Sequence, residues 1–225
     1  MKRPWLVLRL LVLGTALLVA VAWAYGVGKA RTRRHSWDAT LSVAVVLIGN
    51  VPLSDLAVKR FSEGLPELAG LLGAELSRYR PGAPAPFAFE RVGPIAMPSA
   101  PPWPEGQDLM SRAKYAYLLH QYLGDVHDRA QMDRRAYDVR IYVWAEPARD
   151  AATLAEGLAA QGGDIGLVRA SFDETDATLA WMALGHELMH CLGATDKYDA
   201  AGHAIDPDGL ADPERVPPYP QSHAE

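Results

Sequence analysis

The sequence predicts an α+β fold preceded by an N-terminal transmembrane helix. Three observations carry this reading: an unbroken apolar run near the start, β-branched or alternating runs over 41–50, 137–145 and 165–172, and helical-period segments between those runs. Strands and helices alternate around one core, and no segment repeats. At 225 residues and 49% hydrophobic the chain belongs to the globular class. Its net charge of −5 leaves no basic stripe with which to neutralise phosphates, which excludes a nucleic-acid binder. A single cysteine, Cys191, excludes an internal disulfide and any CxxC-type zinc or redox site. Metal chemistry must therefore come from His, Asp and Glu.

Residues 5–28 are apolar except for Arg9, enough helix to cross about 30 Å of hydrocarbon. Basic residues flank both ends: Lys2 and Arg3 before it, Lys29, Arg31, Arg33 and Arg34 after it. The positive-inside comparison is nearly a tie. Ala22-Trp23-Ala24 also has the small-x-small form of a signal-peptidase site, but the apolar stretch is longer than a usual signal core, and the expectation is an uncleaved anchor. Residues 1–35 are thus expected to form an anchor and basic linker, and 36–225 the functional domain. The charge divides accordingly, +7 over 1–35 and −12 over 36–225, so anionic lipid should repel the domain away from its anchor.

The run 41–50 ends at Asn50 and Pro52 and suits a central strand. Ser54 can cap a helix to about Tyr79, with Leu56, Leu65, Leu68, Leu72 and Leu76 inward and a break at Gly64-Leu65-Pro66. Eight prolines in 81–104 preclude regular helix, although 86–92 alternates as an edge strand does. From Gln107 to about Arg129, Leu109, Ala113, Ala116, Leu119, Tyr122 and Leu123 recur at helical spacing. In 137–145, Val139, Ile141 and Val143 point inward against Arg140, Tyr142 and Trp144 outward. An Ala-rich helix over 149–161 is expected to end at Gly162-Gly163, followed by a strand over 165–172 and a helix from Thr175 to Leu192 stopped at Gly193.

That last helix carries His186-Glu187-Leu188-Met189-His190-Cys191-Leu192-Gly193-Ala194-Thr195-Asp196. Histidines four apart lie about 40° round the helix from one another, one turn up, so both imidazoles can reach a single ion. Glu187 projects beside them, where a carboxylate can take a proton from zinc-activated water and pass it to a leaving amine. Gly193 allows the chain to turn back under the metal and makes Asp196 a candidate third ligand; three protein ligands and one open position define a catalytic zinc site. HExxH alone should arise by chance in roughly 1 of 100 chains this long, and the Gly and Asp offsets cut that by about two further orders of magnitude. Cys191 sits about 100° from His190 and reads as a small buried hydrophobe.

The signature HExxHxxGxx(H/D), met by His186, Glu187, His190, Gly193 and Asp196, resembles that of the metzincin-type zinc peptidases. Aspartate at the last position, followed by Lys197-Tyr198-Asp199, is more similar to snapalysin and the immune inhibitor A group of bacterial secreted peptidases than to the matrix metalloproteinases. The resemblance covers about 160–200. It implies zinc held by His186, His190 and Asp196, with Glu187 as general base, in a zinc metalloendopeptidase that cleaves protein or peptide substrates. It also implies a zincin/metzincin-like mixed sheet packed on two long helices, with the cleft between the zinc helix and an edge strand, for which 165–172 is in the expected position. Because the resembling enzymes are exported, it places the domain outside the cytoplasm, on a single-pass membrane anchor.

The chain departs from the family in having no methionine after Met189, where metzincins place a methionine turn. A zincin-fold binding protein without turnover would share that departure, and a zinc amidase acting on a non-protein amide is a third reading. Glu214 or His203 could serve as a downstream ligand instead of Asp196. Asp206, Asp208 and Asp212 form an oxygen-rich stretch that could hold calcium, though Asp-Pro-Asp-Gly is first a turn signal. Tyr198 and Tyr219 are candidate oxyanion donors, with ordinary packing the preferred reading of each.

Overall fold

The computed structural model describes residues 4–50, 52–106, 108–146, 155–172, 177–196 and 205. The chain divides into two units, 1–193 and 194–225. In the first, the elements run α1 (Pro4–Ser36), β1 (Leu41–Gly49), α2 (Asp55–Tyr79), β2 (Phe87–Ala96), α3 (Leu109–Ala130), β3 (Val139–Glu146), β4 (Ala155–Ala159), β5 (Ile165–Ser171) and α4 (Ala177–Cys191). Of the second unit, Ala194, Thr195, Asp196 and Ile205 are described, all exposed and outside regular structure.

The five strands form one mixed sheet in the order β2-β1-β3-β5-β4. The pairs β1–β2, β1–β3 and β3–β5 are parallel, and β4 runs antiparallel to β5 at one edge. The β-branched run of 41–49 is the middle of the parallel set, buried on both faces, as its lack of alternation requires. One face packs on α2 and α4 through Val43, Val45, Ile141, Val143, Phe61, Leu65, Leu184 and Leu188. The other packs on α3 through Val46, Ile48, Tyr142, Trp144, Leu123 and Val126.

Several expectations are corrected. Helix α2 begins at the Ser54 cap, whose hydroxyl accepts from the Ala57 amide, but it does not break at Pro66. Pro66 lies on the exposed side of the helix, so the backbone bond it forfeits faces water. The buried stripe is Ala57, Phe61, Gly64, Leu65 and Leu68, and Leu56 is exposed. Gly64 is needed because the Trp181 indole of α4 lies where a β-carbon would be. Only the C-terminal half of α3 is buried, through Leu123 and Val126, and Leu109 is 84% exposed. In β3 the Tyr142 and Trp144 side chains, expected outward, are buried beneath α3, so the alternation separated two core faces rather than core from solvent.

The expected Ala-rich helix is the largest correction. Residues 155–159 form strand β4, with Gly162 and Gly163 in the turn to β5, Gly162 at φ +72; residues 149–154 of that helix lie outside the described set. Alanine favours helix only weakly, and an open edge of β5 offers these residues a full ladder from Ala155↔Ala170 to Ala159↔Gly166. The strand 165–171 is consequently interior, and β4 is the edge.

Helix α1 is long and apolar enough to span a membrane, and its apolar side chains are bare, Leu18 at 71% and Trp23 at 72% exposed. It continues through the expected linker to Ser36. There Trp37, at φ +58, reverses the chain and packs edge-on against Phe87, with ring centroids 6.0 Å apart.

Candidate metal centre

Helix α4 is held on the sheet by Ala180, Leu184, Leu188 and Cys191, each fully buried, which turns the opposite side of the same turns toward solvent. His186 and His190 occupy that side, one exposed and one half-buried. Their Nε2 atoms are 3.0 Å apart and their rings stand edge to face at 4.6 Å. His186, Glu187 and His190 each offer a ligand atom, all within 4.8 Å of one another, the group among the described residues that could hold a metal ion.

Glu187 is treated differently from its neighbours. It is 3% exposed, and its carboxylate lies against Gly157 of β4, at the place a β-carbon would occupy. Gly166 of β5 leaves room for Ile141, and beyond it for the Glu187 β-carbon, 3.3 Å from where an added methyl would stand. Gly157 therefore forms the slot into which the carboxylate fits, and Gly166 on the adjacent strand leaves room for the base of the same side chain. Its Oε1 is 4.0 Å from His186 Nε2. Sequence reasoning missed both glycines; the signal was Gly157 itself, which weakens a helix and in a strand marks a close approach.

The end of α4 is closed by the β4–β5 turn. The His190 carbonyl accepts from the amides of Gly162 and Gly193, each at 2.9 Å, and the Gln161 side chain donates to the Gly193 carbonyl at 2.8 Å. Gly193, at φ +102, supplies the left-handed residue that ends the helix. Burial pushes the Cys191 thiol up to about 12, so the sulfur stays protonated beneath the helix.

Asp196 is exposed and belongs to the second unit, whereas the histidines and Glu187 belong to the first. Tyr198, His203, Asp206, Asp208, Asp212, Glu214 and Tyr219 lie outside the described residues. A cavity of about 780 Å³ between α3 and the β4–β5 hairpin, lined by Tyr115, Leu119, Leu158, Ile165 and Leu167 with Asp164 at its edge, includes none of His186, Glu187 and His190. Comparison with family models, curated proteins and solved structures returns no significant match.

Proposed function

We propose that the chain is a membrane-anchored, zinc-dependent peptidase, with His186 and His190 as zinc ligands and Glu187 as general base. The observation that carries the reading is the spacing of the two imidazoles. Two nitrogens bound to one tetrahedral zinc at about 2.05 Å stand about 3.3 Å apart, close to the 3.0 Å between the Nε2 atoms here. The donor set, two imidazoles with a sheltered carboxylate alongside, suits zinc rather than calcium or magnesium.

Bound zinc supplies a Lewis acid that polarises a carbonyl and brings the acidity of water into the neutral range. The protein's own groups do the rest. Glu187 accepts the proton that water loses as its oxygen adds to the carbonyl carbon, then delivers it to the departing amide nitrogen as the C–N bond breaks. The Gly157 slot keeps the carboxylate from turning away. Strand β4, at the edge of the sheet beside Glu187, offers backbone groups on which an extended peptide can lie.

The test is metal analysis of the detergent-purified full chain together with a peptide-library digest. Stoichiometric zinc and cleavage are expected, and Glu187→Gln should lower turnover by about 10²–10⁴-fold while zinc content holds. Retained activity in that variant would remove the mechanism. Because no methionine follows Met189, one alternative has specific support: a zinc-holding binding protein, selected by full zinc occupancy without cleavage. Turnover of a non-peptide amide alone would select the amidase reading.

A further inference from the structure

The junction between α1 and the domain is built rather than flexible. Arg34 is 6% exposed and donates to the Gly162 carbonyl at 3.0 Å. Arg31 lies over the same glycine, where a β-carbon would meet its guanidinium. Arg33 pairs with Asp138 at the start of β3 at 3.4 Å, and Arg80 at the end of α2 donates to the Ser36 carbonyl at 2.5 Å. The His35 ring stacks against Gly193 at the end of α4. The end of α1 thus engages α2, β3, the β4–β5 turn and α4, so the basic residues expected as a linker serve as structural ties.

The same contacts set a height. The apolar stretch ends at Gly28, and at 1.5 Å per residue Arg31 and Arg34 lie about 4.5 and 9 Å beyond it. Both meet Gly162, whose amide donates to the carbonyl of His190. His186 is one turn further along α4. The metal-capable group therefore stands within about 20 Å of the end of the apolar helix.

From this we infer that the substrates are juxtamembrane segments of membrane-anchored proteins, cut close to the bilayer because α1 holds the site there. The inference rests on the membrane-anchored peptidase reading above. No swivel separates the membrane helix from the domain: α1 is continuous from Pro4 to Ser36. A chain free in solution has no such constraint, whereas a chain emerging from the bilayer is held at the height of the site from its first residues onward.

The experiment reconstitutes the full chain in liposomes with a probe of about 40 flexible residues attached to a single transmembrane helix, and maps the cuts by mass spectrometry. The same 40 residues without a membrane helix are digested in parallel. The cut nearest the bilayer is expected within about six residues of it, since that many extended residues, at about 3.3 Å each, span about 20 Å. Inserting seven helix-forming residues between Gly28 and Lys29 adds about 10 Å while returning the helix to nearly the same facing, and should move the cuts outward by about three residues. A flexible Gly/Ser insertion at that point should scatter them. A nearest cut well beyond six residues for the unmodified chain, or one unmoved by the helical insertion, overturns this inference and leaves the peptidase reading standing. Release of the protein from the liposomes after cleavage at Ala24 also overturns it. Failure to cut either probe by a zinc-loaded chain overturns the peptidase reading and this inference with it.

Discussion

On one face of the sheet, packing is so close that glycine is required where α2 meets Trp181 of α4, at Gly64, and where β4 meets Glu187, at Gly157. On the other face, α3 buries only Leu123 and Val126 fully, with Leu119, Tyr122 and Ala130 partly buried beside them, and its N-terminal half stands over a cavity of about 780 Å³. The chemistry-bearing side chains sit on the tightly packed face. The general base proposed here, Glu187, must be held within a fraction of an ångström, and close packing against backbone does this without adding polar groups that must themselves be satisfied. The α3 face has no such demand and tolerates a loosely seated helix.

The comparison breaks most visibly through the glycine slot. Gly157→Ala places a methyl where the Glu187 carboxylate lies, and it is expected to lower peptide turnover by about 10- to 100-fold, as a small misplacement of a catalytic group does. Circular dichroism and zinc content should remain those of the parent chain; unchanged turnover would show that the slot does not position Glu187.

Core truncation comes next. Leu184→Ala, on the fully buried α4 face, should cost about 2–5 kcal/mol in denaturant unfolding. Leu109→Ala, at 84% exposed on α3, should fall within about 0.5 kcal/mol of the parent. Equal losses at the two positions would mean that the α3 face is as tightly bound as the other.

The smallest effect concerns pH on the α3 face. His127 Nε2 lies 2.5 Å from the Tyr142 hydroxyl, and burial, aided by the nearby Arg140, lowers the His127 pKa. Arg134 and His120 act in the same direction and Asp128 opposes them. A depressed histidine favours its neutral form in the folded state. Stability should be full above about pH 6.5, the ordinary histidine value, and fall as pH drops from there through the lowered folded value. His127→Gln should flatten that slope in unfolding midpoints measured between pH 7 and 5. Tyr142, pushed up to about 12 by burial, should add a loss of stability as pH rises above about 10.

Strand β1 was legible because nine residues without a polar break suit only a strand covered on both faces. The His186 and His190 pair was equally legible, since helical geometry alone places residues four apart on one side. Strand β4 was not, because Ala-Glu-Gly-Leu-Ala has no periodicity of its own and its state depends on whether β5 has a free edge. Nor was the side on which α3 is bare: Leu109 and Leu123 look alike at helical spacing, and only the reach of the sheet distinguishes them.

The sequence by itself determined what short-range geometry controls: an apolar helix of membrane-spanning length, the central parallel strand, and two imidazoles facing the same way beside a carboxylate. Only the tertiary structure decided that this carboxylate rests against a strand glycine, that the edge strand is 155–159, and that Arg31, Arg33, Arg34 and His35 grip the domain. Those features join residues as far as 128 positions apart, as Arg34 and Gly162 are, and local propensity holds no information about which distant backbone will arrive beside a side chain.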